Sequence, residues 1–196
     1  GRVDWRGLSF DDAQRAVTKR RGSQQVDLGG IAKGWGVDRA VAALEARGIA
    51  DYMVEVGGEV RTRGLNASGV AWRIGIEEPD ASPQQARWIV PLAGRAMATS
   101  GDYRNYFTQD GQRYSHEIDP VAGAPIRHGL ASVTVVADDC MQADALATAL
   151  IVLGAERGRA LAESSGIAAQ FIERAPGGGF RDSMTSSFAA LEAARA

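Results

Sequence analysis

Between residues 25 and 63 the sequence changes from an extended pattern to a helical one and back. Residues 25–28 form a short extended run that ends in Gly29-Gly30, and residues 31–47 carry apolar side chains at helical spacing. Gly48 ends this helix, residues 52–56 form a strand, and residues 60–63 continue it beyond a second glycine pair. A strand–helix–strand succession predicts a layered fold in which helices cover a sheet.

The middle of the chain is predicted to be mostly β-structure. Apolar residues alternate along 72–77, Asp110-Gly111 is a dipeptide typical of a hairpin turn, and the β-branched run 132–137 predicts a buried strand. The remainder predicts helices at 141–153 and 156–165, a strand at 168–173 and an Ala-rich terminal helix. The fold class is therefore α/β of the mixed α+β kind. We expect a layered mixed β-sheet with flanking helices, in a single domain over residues 1–196.

Composition excludes several classes of protein. The 196 residues are 45% hydrophobic and 23% charged, with a formal charge of −2. A disordered chain would be less hydrophobic, and a general nucleic-acid-binding protein would be basic. No apolar run approaches the roughly 20 residues of a membrane-spanning helix, so no transmembrane segment is predicted. The single cysteine, Cys140, excludes an internal disulfide and a zinc site built from cysteines.

The glycine pair at residues 29–30 comes directly before the predicted helix, and this is an arrangement that binds anions. Main-chain amides and the positive end of the helix dipole would face a phosphate there. Lys33 would add a full charge, and it is one of only two lysines among 22 basic residues. Neither familiar phosphate-binding template is matched, because Ile31 replaces a glycine and Lys33 precedes Gly34. The alternative is an ordinary strand-to-helix turn with a solvated lysine.

Asp144 and Thr148 are four residues apart in a predicted helix, so their side chains share one face. A carboxylate and a hydroxyl on one face suit a hard cation such as Mg²⁺, which prefers oxygen ligands. The alternative is an acidic residue favoured by the helix dipole, with the threonine bonded to its own helix.

His116 lies between a predicted strand and a turn that ends in Pro120. A histidine flanked by carboxylates can act as a general base near neutral pH, and Asp119 or Asp102 could orient it. The alternative is a surface turn in which Asp119 bonds its own backbone.

Four blocks, taken together and in this order, resemble the FAD:protein FMN transferase (ApbE-like) family. They are residues 27–34 (DLGGIAKG), 72–79 (WRIGIEEP), 98–103 with 116–120 (ATSGDY and HEIDP), and 143–150 (ADALATAL). The resemblance covers roughly residues 26–180 and implies the ApbE-like flavin transferase fold.

The resemblance implies an Mg²⁺-dependent enzyme that cleaves the FAD pyrophosphate. The FMN half would pass to a Thr hydroxyl of an acceptor redox protein, with release of AMP. Asp144, Thr148 and the main-chain oxygen of Gly30 match metal ligands. His116 matches a catalytic histidine, which Asp119 would assist. The predicted FAD-binding positions are Asp27, Lys33, Ser100, Asp102 and Ile118.

The chain also departs from the family pattern. Val121 replaces the usual threonine after Asp-Pro, and Ala147 stands where some relatives have a carboxylate. Family members carry a substantial upstream segment that helps to enclose the flavin, and we expect this chain to be the C-terminal portion of that architecture. The family is usually periplasmic or exported and membrane-facing. A plain Mg²⁺-dependent FAD pyrophosphatase and a catalytically silent flavin-binding domain are the alternatives.

Overall fold

The computed structural model describes residues 4–103, 106–109, 112–192 and 194–195. The helices are α1 (Ala32–Glu45), α2 (Cys140–Leu153), α3 (Ala155–Ser164) and α4 (Ser186–Ala189). The strands are β1 (Leu8–Asp11), β2 (Ala16–Lys19), β3 (Tyr52–Val56), β4 (Glu59–Arg63), β5 (Arg73–Glu77), β6 (Ala86–Pro91), β7 (Ala96–Gly101), β8 (Tyr106–Gln109), β9 (Gln112–Ser115), β10 (Ile118–Asp119), β11 (Ala124–Pro125), β12 (Leu130–Ala137), β13 (Ala168–Arg174), β14 (Phe180–Met184) and β15 (Ala194–Arg195).

A six-stranded sheet in the order β14-β13-β12-β7-β4-β3 forms the centre of the fold. Each neighbouring pair of its strands is antiparallel. All eight residues of β12 are buried, because this central strand is covered on both faces. The predicted layered fold of the mixed α+β kind is confirmed. The expectation of a mixed sheet is wrong for the central sheet, because all of its described strand pairs are antiparallel.

The two faces of this sheet support two hydrophobic cores. On one face, Ala98, Val133 and Phe171 pack with Ala147 and Leu150 of α2. On the opposite face, Met97, Val136 and Ile172 pack with residues of the three-stranded sheet β15-β6-β5 and of α4. The described residues therefore form three layers, with helices, the large sheet and the small sheet in that order.

Helices α1 and α2 meet at their N-termini, where each one caps the other. The main-chain N–H of Gly34 in α1 donates to Oδ2 of Asp144 in α2 at 2.9 Å. The carboxylate of Asp38 in α1 accepts from the N–H groups of Cys140 and Met141 in α2 at 3.0 and 2.9 Å. This reciprocal capping satisfies amides that a helix start otherwise leaves unpaired, and it fixes Asp144 beside the beginning of α1.

Most predicted elements are confirmed, and three features differ. Residues 25–28 have no regular structure, so the predicted extended run is not a strand. The predicted terminal helix is only α4, because β14 precedes it and β15 pairs with β6 after it. The hairpin β1–β2 was not predicted. Strands β8 and β9 pair as expected, but Asp110-Gly111 lies outside the described residues. Among the helices that the structure describes, none is both long and apolar enough to cross a membrane.

Candidate active site

A cleft of about 1120 Å³ opens at the edge of β7, where this strand loses its neighbour β4. Strand β4 pairs with β7 only at Met97 and Ala96. Just before β4 the chain turns at Gly57 and Gly58, which both have positive φ. Strand β4 therefore does not extend along the rest of β7, and that part of β7 borders the cleft. The open strand edge brings segments from β5, α1, α2 and the 116–118 loop around one space.

Four oxygen-bearing residues meet at one end of the cleft. The hydroxyls of Ser100 and Thr148 are 3.1 Å apart. A Cβ built on Gly30 would lie 2.8 Å from Thr148 Cγ2 and 3.0 Å from its Oγ1, so the backbone of Gly30 lies against the threonine. Asp144 lies one helical turn before Thr148, and one of its carboxylate oxygens accepts from the N–H of Gly34. The predicted metal-binding residues Gly30, Asp144 and Thr148 are therefore neighbours.

The donors in this cluster suit a hard divalent cation. They are the Asp144 carboxylate, the Ser100 and Thr148 hydroxyls and the main chain of Gly30. All of these groups offer oxygen atoms, which Mg²⁺ prefers as ligands. Within the described residues no group of three or more His, Cys, Asp or Glu side chains is placed to hold a metal. A metal at this end would thus have Asp144 as its charged ligand and would complete its coordination with neutral oxygens or ligand phosphate.

The Lys33 ammonium lies at the same end, and a buried carboxylate holds it there. Its Nζ donates to Glu59 Oε1 at 2.7 Å and lies 3.5 Å from the carbonyl oxygen of Gly57. Burial raises the pKa of Glu59 above its ordinary value, the ion pair with Lys33 opposes this rise, and the Asp144 carboxylate adds to it. Lys33 is therefore a positioned cation that lines the cleft, rather than the freely solvated lysine of the alternative reading.

Three of the amides at the start of α1, which were predicted to be free to face an anion, have hydrogen-bond partners in the structure. The N–H groups of Ile31 and Ala32 both donate to the carbonyl oxygen of Leu28, and the N–H of Gly34 donates to Asp144. These amides are occupied because the preceding segment folds as a turn onto the helix. Asp27 lines the cleft and accepts from the N–H of Gly29 at 2.7 Å. Binding of an anion by Lys33, whose side chain lines the cleft, stays a prediction.

His116 lines the cleft beside a second carboxylate, Glu117. Its Nε2 is 3.5 Å from Glu117 Oε1. Burial raises the pKa of Glu117, while the charges of His116 and Lys33 oppose the rise and the Asp144 carboxylate adds to it. The Asp144 carboxylate thus raises the pKa of both Glu59 and Glu117, and the Lys33 charge lowers both.

Two of the predicted site residues have other partners outside the cleft lining. Asp119 Oδ1 accepts from the N–H groups of Val121 and Ala122 at 2.8 and 3.3 Å, which is the turn-forming role given as the alternative. Asp102 forms a two-pronged ion pair with Arg174 at 2.9 and 2.8 Å. The remaining predicted FAD-binding residue, Ile118, is half exposed and lines the cleft. Orientation of His116 by Asp119 or Asp102 stays a prediction.

The other end of the cleft is apolar and aromatic. Ile74 and Ile76 of β5 face it together with Met97 of β7. Tyr103 crosses between the two walls, because its ring lies against Gly101 and its hydroxyl is 3.4 Å from Glu77 Oε2. The cleft lining therefore combines polar and charged groups with apolar and aromatic ones, as ligand pockets commonly do.

Sequence reasoning missed Glu59, Glu117 and Tyr103 as site residues. Glu59 follows a glycine pair and Glu117 adjoins His116, so proximity to a proposed motif was the available signal. Glu59 and Glu117 could not be assigned to the site from sequence spacing, because their neighbours Lys33 and Asp144 lie in elements that are distant in sequence.

One cleft of this α+β fold therefore combines an oxygen cluster that suits a hard cation, a lysine held by an ion pair and a histidine. The chain belongs to the ApbE family, whose family model matches residues 1–171.

Relatives support this membership. A FAD:protein FMN transferase of Vibrio cholerae is 52% identical over 163 residues, which are 83% of this chain and 48% of that protein. A FAD:protein FMN transferase of Haemophilus influenzae is 41% identical over 190 residues, 96% of this chain and 55% of that protein. The structure of the flavin transferase ApbE from Vibrio cholerae has a TM-score of 0.85 at 45% identity, covering 96% of this chain and 59% of that one. The chain spans about half the length of the curated relatives it matches.

Proposed function

We propose that this chain belongs to an Mg²⁺-dependent FAD:protein FMN transferase, and that residues 1–196 form one domain of it. One observation carries the proposal. The oxygens of Ser100, Asp144 and Thr148 meet in the same cleft as Lys33 and His116. This arrangement can hold a divalent cation on a pyrophosphate and place a base beside it. The acceptor is proposed to be a redox protein with a target threonine, in a periplasmic or membrane-facing compartment.

In the proposed reaction the threonine oxygen attacks the phosphorus on the FMN side of the pyrophosphate. The bond from that phosphorus to the bridging oxygen breaks, and AMP leaves. His116 accepts the threonine proton, because its imidazole lines the cleft and can act as a general base. Lys33 binds a pyrophosphate oxygen from the position that Glu59 fixes. The cation, held by Asp144, Thr148 and the Gly30 carbonyl, would neutralise charge on the phosphates.

The test is incubation of the intact protein with FAD, Mg²⁺ and a threonine-bearing acceptor peptide. We expect a fluorescent FMN–peptide adduct together with AMP, and loss of both products when Mg²⁺ is chelated. Free FMN and AMP without an adduct would instead support the FAD pyrophosphatase reading. Binding of FAD without any turnover would support the silent flavin-binding domain.

Asp144→Asn is the sharpest variant, because asparagine keeps the oxygen that accepts from the Gly34 N–H but removes the charge. We expect turnover to fall by about 100-fold or more, since one charged metal ligand is lost. Asp139→Asn is the matched control on the same helix. Asp139 caps α2 through the N–H of Gln142, and asparagine caps equally well. Equal turnover by the two variants would remove Asp144 from the proposed site.

A further inference from the structure

We propose that Arg174, which lies outside the cleft, is a positioning residue that fixes two walls of the cleft relative to each other. The consequence for FAD rests on the proposed function, whereas the link between the walls does not. One wall is the segment 100–103 at the end of β7, and the other is β5. Arg174 is the last residue of β13. Its side chain contacts Asp102, which lies in the first wall, and Asp80, which lies in the loop after the second.

The contact with the first wall is a two-pronged ion pair. Arg174 Nη1 and Nη2 donate to the two carboxylate oxygens of Asp102 at 2.9 and 2.8 Å. Asp102 is buried, and its main-chain N–H donates to the carbonyl oxygen of Ala131 at 3.0 Å. Its chain neighbours Gly101 and Tyr103 both line the cleft. The ion pair therefore holds the segment from behind, since the carboxylate points to the guanidinium and the neighbours face the cleft.

The contact with the second wall passes through Asp80. Arg174 Nη2 lies 3.4 Å from Asp80 Oδ2, in the loop that follows β5. Asp80 has a φ of +62°, a left-handed conformation that favours glycine, so a fixed partner for its side chain helps to retain this loop geometry. The guanidinium also lies over the ring of Phe180 at 6.0 Å. One side chain thus bridges the segment after β7 and the segment after β5.

The two walls also meet inside the cleft, where a small displacement would be felt. The Tyr103 hydroxyl is 3.4 Å from Glu77 Oε2 of β5. A Cβ on Gly101 would be only 2.6 Å from the Tyr103 ring, so the ring has little freedom to shift against its own strand. Ser100, two residues before Asp102, contacts Thr148 in the polar end. Loss of Arg174 would leave the buried Asp102 charge without this ion pair. It would thereby loosen the segment 100–103 both at Ser100 and at Tyr103.

Hydrogen exchange of the ligand-free protein tests the link without reference to any activity. Arg174→Met keeps an unbranched apolar side chain similar to the arginine stem and removes the guanidinium. We expect exchange at the amides of 100–103 to rise by about tenfold, because local opening of the wall becomes more favourable. Arg174→Lys should recover only part of the protection, since an ammonium cannot form the two-pronged pair.

Arg181→Met is the matched control. Arg181 lies on the neighbouring strand β14, pairs with Glu173 at 3.3 Å and has a side chain that is 71% exposed. The Arg181→Met substitution therefore removes a positive charge without changing a contact to either wall. We expect wild-type exchange at 100–103 from this variant. In FAD assays Arg174→Met should lower kcat/KM by about tenfold through misplacement of the substrate, and Arg181→Met should not.

The inference is overturned if Arg174→Met melts earlier but leaves exchange at 100–103 no faster than in the Arg181→Met control. If Arg174→Met does not fold, Asp102→Asn tests the same ion pair with a side chain of equal size. Unchanged exchange in that variant also overturns it. A wild-type protein that neither binds nor turns over FAD would refute the proposed function, and the exchange result would still decide the role of Arg174.

Discussion

Gly34 shows how a single residue determines the approach of the two helices that carry the candidate metal site. A Cβ at this position would lie 2.2 Å from the carbonyl oxygen of Cys140 and 2.8 Å from Cβ of Asp144. Backbone cannot yield as the end of a flexible side chain can, so the helices would have to separate. We expect Gly34→Ala to lower the free energy of unfolding by about 3 kcal/mol, which urea denaturation would measure.

Gly36, two residues further along the same helix, is the control for that substitution. No atom lies within 4 Å of a Cβ built there. Gly36→Ala should therefore raise the free energy of unfolding by up to about 1 kcal/mol, the difference in helix propensity. A similar loss of stability in both variants would mean that the close approach of the helices at Gly34 is not what the residue provides.

Individual site residues were predictable from the sequence only where local spacing determines their geometry. Asp144 and Thr148 share a helix face because they are four residues apart, and the structure places them together as expected. Glu59 meets Lys33 across 26 residues, which no periodicity encodes. Asp102 was predicted to bind FAD, and its partner is Arg174, which is 72 residues away.

At the level of elements, helix α2 depends on a cap supplied by another helix. Asp38 of α1 accepts from the N–H groups of Cys140 and Met141 and also pairs with Arg61. We expect Asp38→Ala to lower the free energy of unfolding by about 2–3 kcal/mol, because two helix-start amides, one of them part-buried, and a guanidinium lose their acceptor. Thermal or urea unfolding of the purified variant would measure the loss.

Asp139→Ala gives the comparison for this prediction. Asp139 is the local cap of the same helix and serves one N–H group, that of Gln142. Its removal should cost about 1 kcal/mol. The cross-helix cap would be refuted as the stronger support if Asp38→Ala proved the milder of the two changes.

Elements were predictable where their own residues carry the pattern. The helices α1, α2 and α3 follow from apolar spacing, and β12 follows from its β-branched run. The prediction for residues 25–28 was wrong because this segment turns onto the start of α1, where the Leu28 carbonyl accepts from two N–H groups. Strand β14 was missed because Asp182 stands between Phe180 and Met184, which pack against the core, and a charged residue there interrupts the apolar alternation.

The whole molecule depends on contacts that join the large sheet to the small one, and the sequence held no signal for them. Arg87 of β6 places its guanidinium on Asp182 of β14 at 2.7 Å through two nitrogens. It also donates to Glu78 at 2.6 Å, just beyond β5. The Arg87 side chain is 11% exposed and that of Asp182 is 7% exposed. These groups are 95 residues apart in sequence, so only the assembled layers bring them together.

We expect Arg87→Met to lower the free energy of unfolding by about 3–5 kcal/mol, because Asp182 would be left as a buried charge without its guanidinium. Arg63→Met is the matched change on the surface. Arg63 pairs with Glu45 at 2.8 Å with both side chains exposed, so water screens the pair and its loss should change stability little. Adding Asp182→Asn to Arg87→Met should restore part of the loss, since it removes the orphaned charge. A double variant less stable than Arg87→Met alone would show that Asp182 stabilises the junction of the sheets by some means other than this ion pair.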